Sequence, residues 1–364
     1  MPPSTCISDV QYLDRLGSRA VRSRIPLSGG IALTHRCNLN CVHCYLGAGS
    51  RGPSRAELMR RELPTARVLG ILDEIVDAGC LFLLLTGGEP LLRRDFRKIY
   101  THAREKGLVP TVFTNGTLVD ADTAAMFRDL PPRGVEVTLY GATARTYEKI
   151  TQVRGSFSRC LRGIDRLLAG NVRLRLKTIV MTPNQSEFAA IRSMAAAWGV
   201  PFRFDVAVSA RLNGDRAPLR YRLPAAQAAD IEFSDAQAGA DWKKLLRRAR
   251  TWPKATALYS CGAGVASFYI DAEGSLQPCL MTTHVQYGLR RGRFIQGWEN
   301  VIPSIRRFKV GLASKCLSCV RKPVCGYCPP FSALETGHAD QPCDFLCMLG
   351  KERLERIRKT HAKK

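Results

Sequence analysis

Three cysteines near the N-terminal end of the chain have a spacing that suits an iron–sulfur cluster. Cys37, Cys41 and Cys44 are separated by three and then by two residues. Cysteine thiolates hold such clusters, and a [4Fe–4S] cluster takes four of them. Three thiolates therefore leave one iron open, and an open coordination position is where metal sites do chemistry. This spacing alone leaves a structural zinc or redox site as the alternative.

Two further polar segments follow apolar runs that predict buried strands. The run over residues 81–85 ends in a Thr-Gly-Gly-Glu-Pro segment that contains Gly87, Gly88, Glu89 and Pro90. Glycines let a backbone approach a ligand closely, and a carboxylate accepts hydrogen bonds from an ammonium group. The run over residues 110–113 leads into a second polar segment, made of Thr114, Asn115 and Gly116. Both segments are candidate ligand-binding loops.

The C-terminal part of the chain is rich in cysteine. Eight cysteines fall between residues 261 and 347, at Cys261, Cys279, Cys316, Cys319, Cys325, Cys328, Cys343 and Cys347. A segment this small cannot build a large apolar core, so metal clusters would stabilise it. Eight thiolates are enough for two [4Fe–4S] clusters with four ligands each. A zinc-binding domain is the alternative.

The elements that must position these residues alternate between strand and helix. Apolar runs predict strands near residues 30–35, 81–86, 109–114, 134–140, 172–182 and 201–208. Amphipathic patterns predict helices near residues 65–78, 94–106, 119–129, 156–169 and 186–198. Six such repeats imply an α/β fold with a parallel sheet, which binds ligands at the carboxyl ends of its strands. The first three motifs lie at such ends.

Composition and charge restrict the class of protein. The chain has 364 residues, a hydrophobic content of 45% and a formal net charge of +24. It contains no apolar run of membrane-spanning length and no signal pattern, which predicts a cytoplasmic protein without a membrane partner. The charge favours an acidic partner such as a nucleic acid, an anionic peptide or an anionic cofactor; coding bias towards Arg is the alternative. Basic residues are dispersed and no RNA-binding strand pattern is present, which argues against nucleic acid as the substrate.

The three N-terminal motifs in this order resemble those of the radical SAM enzymes. The resemblance implies a partial (β/α)6 TIM-like barrel and a [4Fe–4S] cluster whose open iron binds S-adenosylmethionine (SAM). One electron would then split SAM into methionine and a 5′-deoxyadenosyl radical. The resemblance also implies that Glu89 grips the methionine amine and that His43 takes a usually aromatic position. It assigns a catalytic role to Cys37, Cys41 and Cys44, and cofactor binding to His43, Gly87, Gly88, Glu89, Pro90, Thr114, Asn115 and Gly116.

The cysteine-rich segment resembles the SPASM extension of radical SAM enzymes that mature peptides and proteins. That resemblance implies two auxiliary clusters. The cluster nearer the barrel, here called the inner cluster, would use Cys261, Cys279 and Cys328. The outer cluster would use Cys316, Cys319 and Cys325 together with a later cysteine. Two candidates exist for that last ligand, Cys343 and Cys347, and the sequence does not assign them. The gap between Cys325 and Cys328 is one residue shorter than usual.

The predicted organisation has five parts. Residues 1–29 form an N-terminal extension, 30–208 the radical SAM barrel and 209–260 a bridge with a helix near Trp242–Trp252. Residues 261–347 form a small α+β SPASM domain with the two auxiliary clusters, and 348–364 a C-terminal helix or tail. Cys6, Cys80 and Cys160 fit no motif.

The resemblance implies an oxidoreductase that modifies a ribosomally made peptide or protein by crosslinking, thioether formation or dehydrogenation. Its partners would be that substrate, a flavodoxin- or ferredoxin-type reductant and a separate leader-binding protein, because only 36 residues precede Cys37. Leu280 occupies the position of the catalytic aspartate of sulfatase-maturating relatives, which argues against formylglycine formation. A radical oxidoreductase of a small molecule and a non-catalytic electron-transfer protein are the alternatives. Weaker pocket candidates are Tyr140, Gly141, Arg154, Lys177 and Asn184.

Overall fold

Six parallel strands form the N-terminal part of the sheet. The computed structural model describes residues 8–47, 54–249 and 256–361. Its parallel strands are β1 (Ser28–Ala32), β2 (Phe82–Thr86), β3 (Val109–Thr114), β4 (Gly134–Thr138), β5 (Leu174–Ile179) and β6 (Phe202–Asp205). Each pairs with its successor in the chain. The predicted α/β fold with a parallel sheet is confirmed, because every predicted strand overlaps an observed one.

One helix precedes β1, and further helices connect the parallel strands. They are α1 (Asp9–Ser23), α2 (Arg55–Arg61), α3 (Thr65–Asp77), α4 (Phe96–Glu105), α5 (Ala121–Asp129), α6 (Ala144–Thr151), α7 (Ser156–Ala169) and α8 (Phe188–Ala197). The five predicted helices correspond to α3, α4, α5, α7 and α8. Three further helices, α1, α2 and α6, were not expected from the sequence.

The two faces of the sheet have different roles. Val135 and Val137 of β4 are fully buried in the core against the connecting helices. Residues alternate between faces along a strand, so Glu136 lies on the opposite face. Glu136 accepts hydrogen bonds from Arg203 of β6 and lies 4.0 Å from the Lys177 ammonium of β5. The opposite face therefore carries charged side chains inside the curve of the sheet.

The C-terminal region continues the same sheet. Strand β7 (Ser267–Ile270) pairs in parallel with β1, and β8 (Ser275–Gln277) and β9 (Tyr287–Gly288) follow in antiparallel orientation. The resulting order is β6-β5-β4-β3-β2-β1-β7-β8-β9. Over the described residues this sheet is open, with β6 and β9 at its edges, which is the partial barrel that was expected. The predicted SPASM segment shares its sheet with the barrel.

The remaining helices cover the bridge and the C-terminal end. They are α9 (Ala225–Ser234), α10 (Ala236–Ala249), α11 (Phe294–Gln296), α12 (Lys322–Cys325), α13 (Pro329–Thr336) and α14 (Asp344–His361). The helix predicted near Trp242–Trp252 corresponds to α10, although its last part lies outside the described residues. Helix α14 packs on α9 through a buried ion pair in which Arg353 donates to Glu232 at 2.6 and 2.7 Å.

The helices are amphipathic. In α7, Ile164 and Leu167 are buried whereas Arg162 and Arg166 are exposed. This pattern is typical of helices that cover one face of a sheet. Across the described parts of the chain, no helix combines the length and the apolar character that a bilayer crossing requires.

Candidate functional site

The cysteine loop follows β1 and is fixed by the end of α6. The Asn40 amide donates to the Thr151 carbonyl at 2.9 Å, and the Val42 amide donates to the Ile150 carbonyl at 3.0 Å. Within the loop, the Cys44 amide donates to the Cys41 carbonyl at 3.0 Å. These backbone bonds fix the loop between its three cysteines. Helix α6, which the sequence did not reveal, is therefore part of the site's framework.

The cysteines of this loop are half-buried. Burial raises the pKa of Cys37 to about 12 and raises that of Cys41 well above its usual value. Charge repulsion from Cys44 contributes to both shifts, and repulsion from Cys37 contributes to that of Cys41. Buried thiolates this close together need a compensating positive centre. The donor set therefore fits a cationic iron cluster better than three free thiols.

The Thr-Asn-Gly segment contacts the cysteine loop directly. The side-chain amide nitrogen (Nδ2) of Asn115 lies 3.8 Å from the Cys37 sulfur and donates to the Asn38 side chain at 2.8 Å. The Asn38 side chain in turn donates to the Thr117 hydroxyl at 2.7 Å. A second donor to the Cys37 sulfur is the Leu39 amide at 3.4 Å. Asn38 and Thr117 were not singled out from the sequence, although they flank predicted site residues.

The two glycines of the Gly-Gly-Glu-Pro segment pack against the start of the cysteine loop. The Gly88 amide donates to the Thr34 carbonyl at 2.7 Å, and the Glu89 amide donates to the Arg36 carbonyl at 2.9 Å. A Cβ atom on Gly87 or Gly88 would lie 2.3 Å from the Thr34 or the Arg36 oxygen, respectively. The glycines thus allow one loop to approach the other. The sequence analysis instead expected these glycines to let the backbone approach a ligand.

Glu89 is completely buried and hydrogen bonded on both carboxylate oxygens. It accepts from the Thr114 hydroxyl at 2.8 Å, from the Asn115 amide at 2.7 Å and from the Leu91 amide at 3.1 Å. Burial raises its pKa to about 7, against the effect of these donors. Pro90 begins the short 3-10 turn Pro90–Leu92. A carboxylate offers about four acceptor positions, so one remains for a further donor.

His43 is buried beside the end of β4. Its ring lies edge-to-face with Tyr140 at a centroid distance of 4.8 Å. Its Nδ1 atom is buried and has no hydrogen-bond partner among the described residues. Burial lowers its pKa to about 4, so the ring is neutral. The expectation that Tyr140 borders the site agrees with this contact.

Two ion pairs with mostly buried side chains lie beside the cysteine loop and the Gly-Gly-Glu-Pro segment. The Arg36 guanidinium donates to both carboxylate oxygens of Glu62, at 2.7 and 3.0 Å. Arg93 donates to the Leu33 carbonyl at 2.9 Å and pairs with Asp95 at 2.6 Å. No sequence motif pointed to this network. It connects the segment after β1 to the residues that follow β2.

The other weak candidates take structural or distant positions. The Asn184 side chain bridges the Tyr140 and Ile179 carbonyls at 2.9 and 3.0 Å, which fixes the loop after β5. The Lys177 ammonium lies 3.0 Å from the centre of the Phe113 ring on the inner face of the sheet. Arg154 is exposed.

Four C-terminal cysteines form an outer group. Burial raises the pKa of Cys325 to about 12, and charge repulsion from Cys347, Cys319 and Cys316 raises it further. Cys347 lies on α14 and Cys325 ends α12. A Cβ atom on Gly350 would lie 2.6 Å from the Cys325 Cβ, so the two helices are in close contact. Helix packing thus brings Cys347 to the other three cysteines.

Three other cysteines form an inner group. Burial raises the pKa of Cys328 to about 11, with smaller contributions from Cys279 and Cys261. The same three thiols act on the pKa of Tyr259, which burial raises. These effects indicate that the three thiols lie close enough for their charges to interact.

Cys343 differs from both groups. Burial raises its pKa to about 11, and the charges that act on it belong to Glu335 and Arg222 rather than to other thiols. Its thiol donates to the Glu335 carboxylate at 3.5 Å. It packs with Phe331 and Leu346 in a small cluster that also contacts Cys328. Cys343 therefore shares an apolar cluster with one cysteine of the inner group.

The cysteines do not form a site for a single metal ion. Among the described residues, no three His, Cys, Asp or Glu side chains converge closely enough to bind one ion. In a [4Fe–4S] cluster each thiolate binds a different iron, so its ligands stand farther apart.

Comparison with protein families identifies the N-terminal half. Residues 31–195 match the model of the radical SAM superfamily. The chain contains a radical SAM domain. The match begins in β1 and ends within α8, so it includes the three motifs described above. A radical SAM domain implies SAM and a [4Fe–4S] cluster, and the buried thiols of the cysteine loop fit that cluster.

The relatives of this chain include heme synthases and maturases, according to their names. An AdoMet-dependent heme synthase of Methanosarcina barkeri is 26% identical over 84% of this chain and 91% of its own length. The mycofactocin maturase MftC of Mycobacterium ulcerans is 26% identical over 79% of this chain and 78% of its own. In structure, Streptococcus suis SuiB bound to precursor peptide SuiA matches with a TM-score of 0.66 and 16% identity, over 93% of this chain and 80% of that one. The fold is thus shared with SuiB over most of this chain, and the heme synthase and MftC resemble it in sequence over a similar length.

Proposed function

We propose that this protein is a radical SAM enzyme that oxidatively modifies a ribosomally made peptide or protein. The observation that carries the proposal is the convergence of three segments on one end of the sheet. The cysteine loop, Glu89 and Asn115 are joined there by direct hydrogen bonds. The names of the relatives MftC and SuiB support a peptide as the substrate.

The N-terminal residues have separate roles in this proposal. Cys37, Cys41 and Cys44 would hold the catalytic cluster, and Asn115 would donate to the Cys37 sulfur. Glu89 would receive the methionine ammonium of SAM with its remaining acceptor position. Thr114 fixes the orientation of the Glu89 carboxylate. When bound, the cluster and SAM supply a 5′-deoxyadenosyl radical that removes a hydrogen atom from the substrate.

The C-terminal cysteines would hold two auxiliary clusters. The outer group has four thiols, namely Cys316, Cys319, Cys325 and Cys347, which is a complete ligand set. The inner group has Cys261, Cys279 and Cys328, and Cys343 shares an apolar cluster with Cys328. These residues would provide an electron acceptor for the substrate radical. The short strands of this region favour stabilisation by such clusters.

A small-molecule substrate is the second candidate. The similarity to a heme synthase favours it, because that alignment covers most of both chains. Both candidates use the same SAM chemistry and differ only in what the radical attacks.

One anaerobic experiment separates the two. The cluster-reconstituted protein would be mixed with SAM, dithionite and either short peptides encoded beside its gene or an iron porphyrin precursor of haem. Mass spectrometry would follow 5′-deoxyadenosine and substrate masses together. Deoxyadenosine with a two-mass-unit loss from a peptide supports the maturase. Deoxyadenosine with unchanged peptides and an altered porphyrin would overturn it in favour of the small-molecule enzyme.

A further inference from the structure

A buried hydroxyl group lies against one sulfur of the inner cysteine group. The Thr282 Oγ1 atom is 3.0 Å from the Cys279 sulfur. The two residues belong to one turn, in which the Thr282 amide donates to the Cys279 carbonyl at 3.1 Å. This backbone bond holds the two residues close together in one turn, which brings the hydroxyl and the sulfur within reach of each other.

The hydroxyl group in this contact is shielded from water, whereas the Cys279 residue is half-buried. Thr282 is fully buried and Tyr259, which packs beside it, is 1% exposed. The Tyr259 hydroxyl oxygen is hydrogen bonded to the Nε2 atom of His284 at 3.1 Å. Hydrogen bonds are stronger in such a low-dielectric environment than at an exposed surface.

The Thr282 hydroxyl has two acceptors within reach, the Cys279 sulfur and the Tyr259 phenol. A cysteine that binds iron is a thiolate and can only accept a hydrogen bond, so Thr282 must be the donor in its contact with Cys279. A charged thiolate is a stronger acceptor than a neutral phenol, which favours donation to the sulfur. In the outer group the Ser314 hydroxyl donates to the Asp340 carbonyl at 2.5 Å and also acts on the pKa of Cys316, so both auxiliary groups have a hydroxyl near one sulfur.

We propose that Thr282 is a positioning residue that raises the reduction potential of the inner cluster. Hydrogen bonds to cluster sulfurs stabilise the more negative, reduced state. A raised potential favours the step in which the substrate radical is oxidised by one electron and the inner cluster is reduced by one. The proton released from the substrate in that step passes to water. The inference rests on the proposed function, since it requires an auxiliary cluster at these cysteines.

The test is a redox titration of the reconstituted full-length protein followed by electron paramagnetic resonance. The variants are Thr282→Val, which removes the hydroxyl at constant volume, Thr282→Ser, which keeps it, and Thr283→Val, a neighbouring exposed control. We expect Thr282→Val to shift one cluster's reduced-to-oxidised ratio by about tenfold, or about 59 mV towards lower potential. Thr282→Ser and Thr283→Val should keep the wild-type value, and the other clusters serve as internal references.

Each other outcome is decisive. An unchanged potential in Thr282→Val with full iron content would overturn the inference and leave the proposed function intact. If the wild-type protein binds only the four irons of the radical SAM cluster, the inference and the auxiliary clusters of the proposed function both fail. Should Thr282→Val lose iron, the wild-type protein reconstituted in D2O decides the matter. Electron–nuclear double resonance on that sample should detect an exchangeable deuteron coupled to the inner cluster. The absence of such a deuteron would overturn the inference.

Discussion

The two cysteine-bearing halves of the molecule are built differently. In the radical SAM domain the motifs are joined by side-chain hydrogen bonds, such as those of Glu89 and Asn115, at the ends of in-register strands. In the C-terminal region the cysteines lie on turns and on helices that include the 18-residue α14, beside strands of four, three and two residues. The first site is positioned by contacts within the protein itself. The proposed clusters of the second site would add to its stability, because its strands are so short.

The largest expected effect comes from the better supported site. Cys41→Ala removes a thiolate from the cysteine loop, so we expect SAM cleavage to fall by more than about 1000-fold, or about 4 kcal/mol of barrier. Formation of 5′-deoxyadenosine measures it. Cys80→Ala is the matched control, because Cys80 is buried and fits no motif. Full activity in Cys41→Ala would show that this protein does not use the cysteine loop as proposed.

Cys343 and Cys347 are one helical turn apart, so replacing each in turn compares their roles in binding iron. Cys347→Ala should lose about four irons per chain, because Cys347 is grouped with three outer thiols. Cys343→Ala should keep the outer cluster. Iron and sulfide analysis with cluster spectroscopy measures both. The reverse pattern would exchange the roles of the two cysteines.

A buried ion pair near Cys343 tests whether protein contacts also stabilise the C-terminal region. Glu335 and Arg222 are paired, with side-chain exposures of 8% and 10%. We expect Glu335→Gln to lower the free energy of unfolding by about 3 kcal/mol, because it leaves Arg222 buried without its counter-charge. Asp129→Asn, in an exposed pair with Arg128, should cost less than about 0.5 kcal/mol. Equal values in chemical denaturation would mean that the metal alone supports this region.

Contact between the two loops in the radical SAM domain is tested at Gly88. A Cβ atom there meets the Arg36 carbonyl oxygen, so Gly88→Ala should destabilise the protein by about 2 kcal/mol and weaken cluster retention. Gly17→Ala in α1 is the control, since its added Cβ meets no atom of the described residues within 4 Å. Thermal unfolding and iron content measure the effect. A stable Gly88→Ala protein would show that the loops can separate without cost.

The smallest expected effect is a pH dependence of stability without SAM. The pKa of Glu89 is raised from 4.5 to about 7 by burial. Its contribution to stability is therefore fully present below pH 4.5 and is lost as pH rises through 7. Relative to Glu89→Gln, the wild-type protein should lose about 1–2 kcal/mol between pH 5 and 8. The exposed control Glu105→Gln should show no such trend, and a flat wild-type difference would contradict the burial argument.

The sequence predicted the barrel better than it predicted the contacts within the site. The run Leu81–Leu85 is apolar throughout and could only be a buried strand, and β2 lies there. Helix α6 was not expected, although it fixes the cysteine loop. The partners of Asn115 and the grouping of Cys347 depend on contacts between residues far apart in the chain. No local pattern encodes such contacts, so they required the three-dimensional structure.

The pairing of β1 with β7 has a consequence for synthesis of the chain. Strand β1 emerges early from the ribosome, whereas its neighbour Ser267–Ile270 comes much later. Until then one edge of β1 has unpaired backbone groups, and exposed edges of this kind promote association between chains. A nascent chain stalled before residue 267 should therefore be prone to aggregation even with its radical SAM motifs complete.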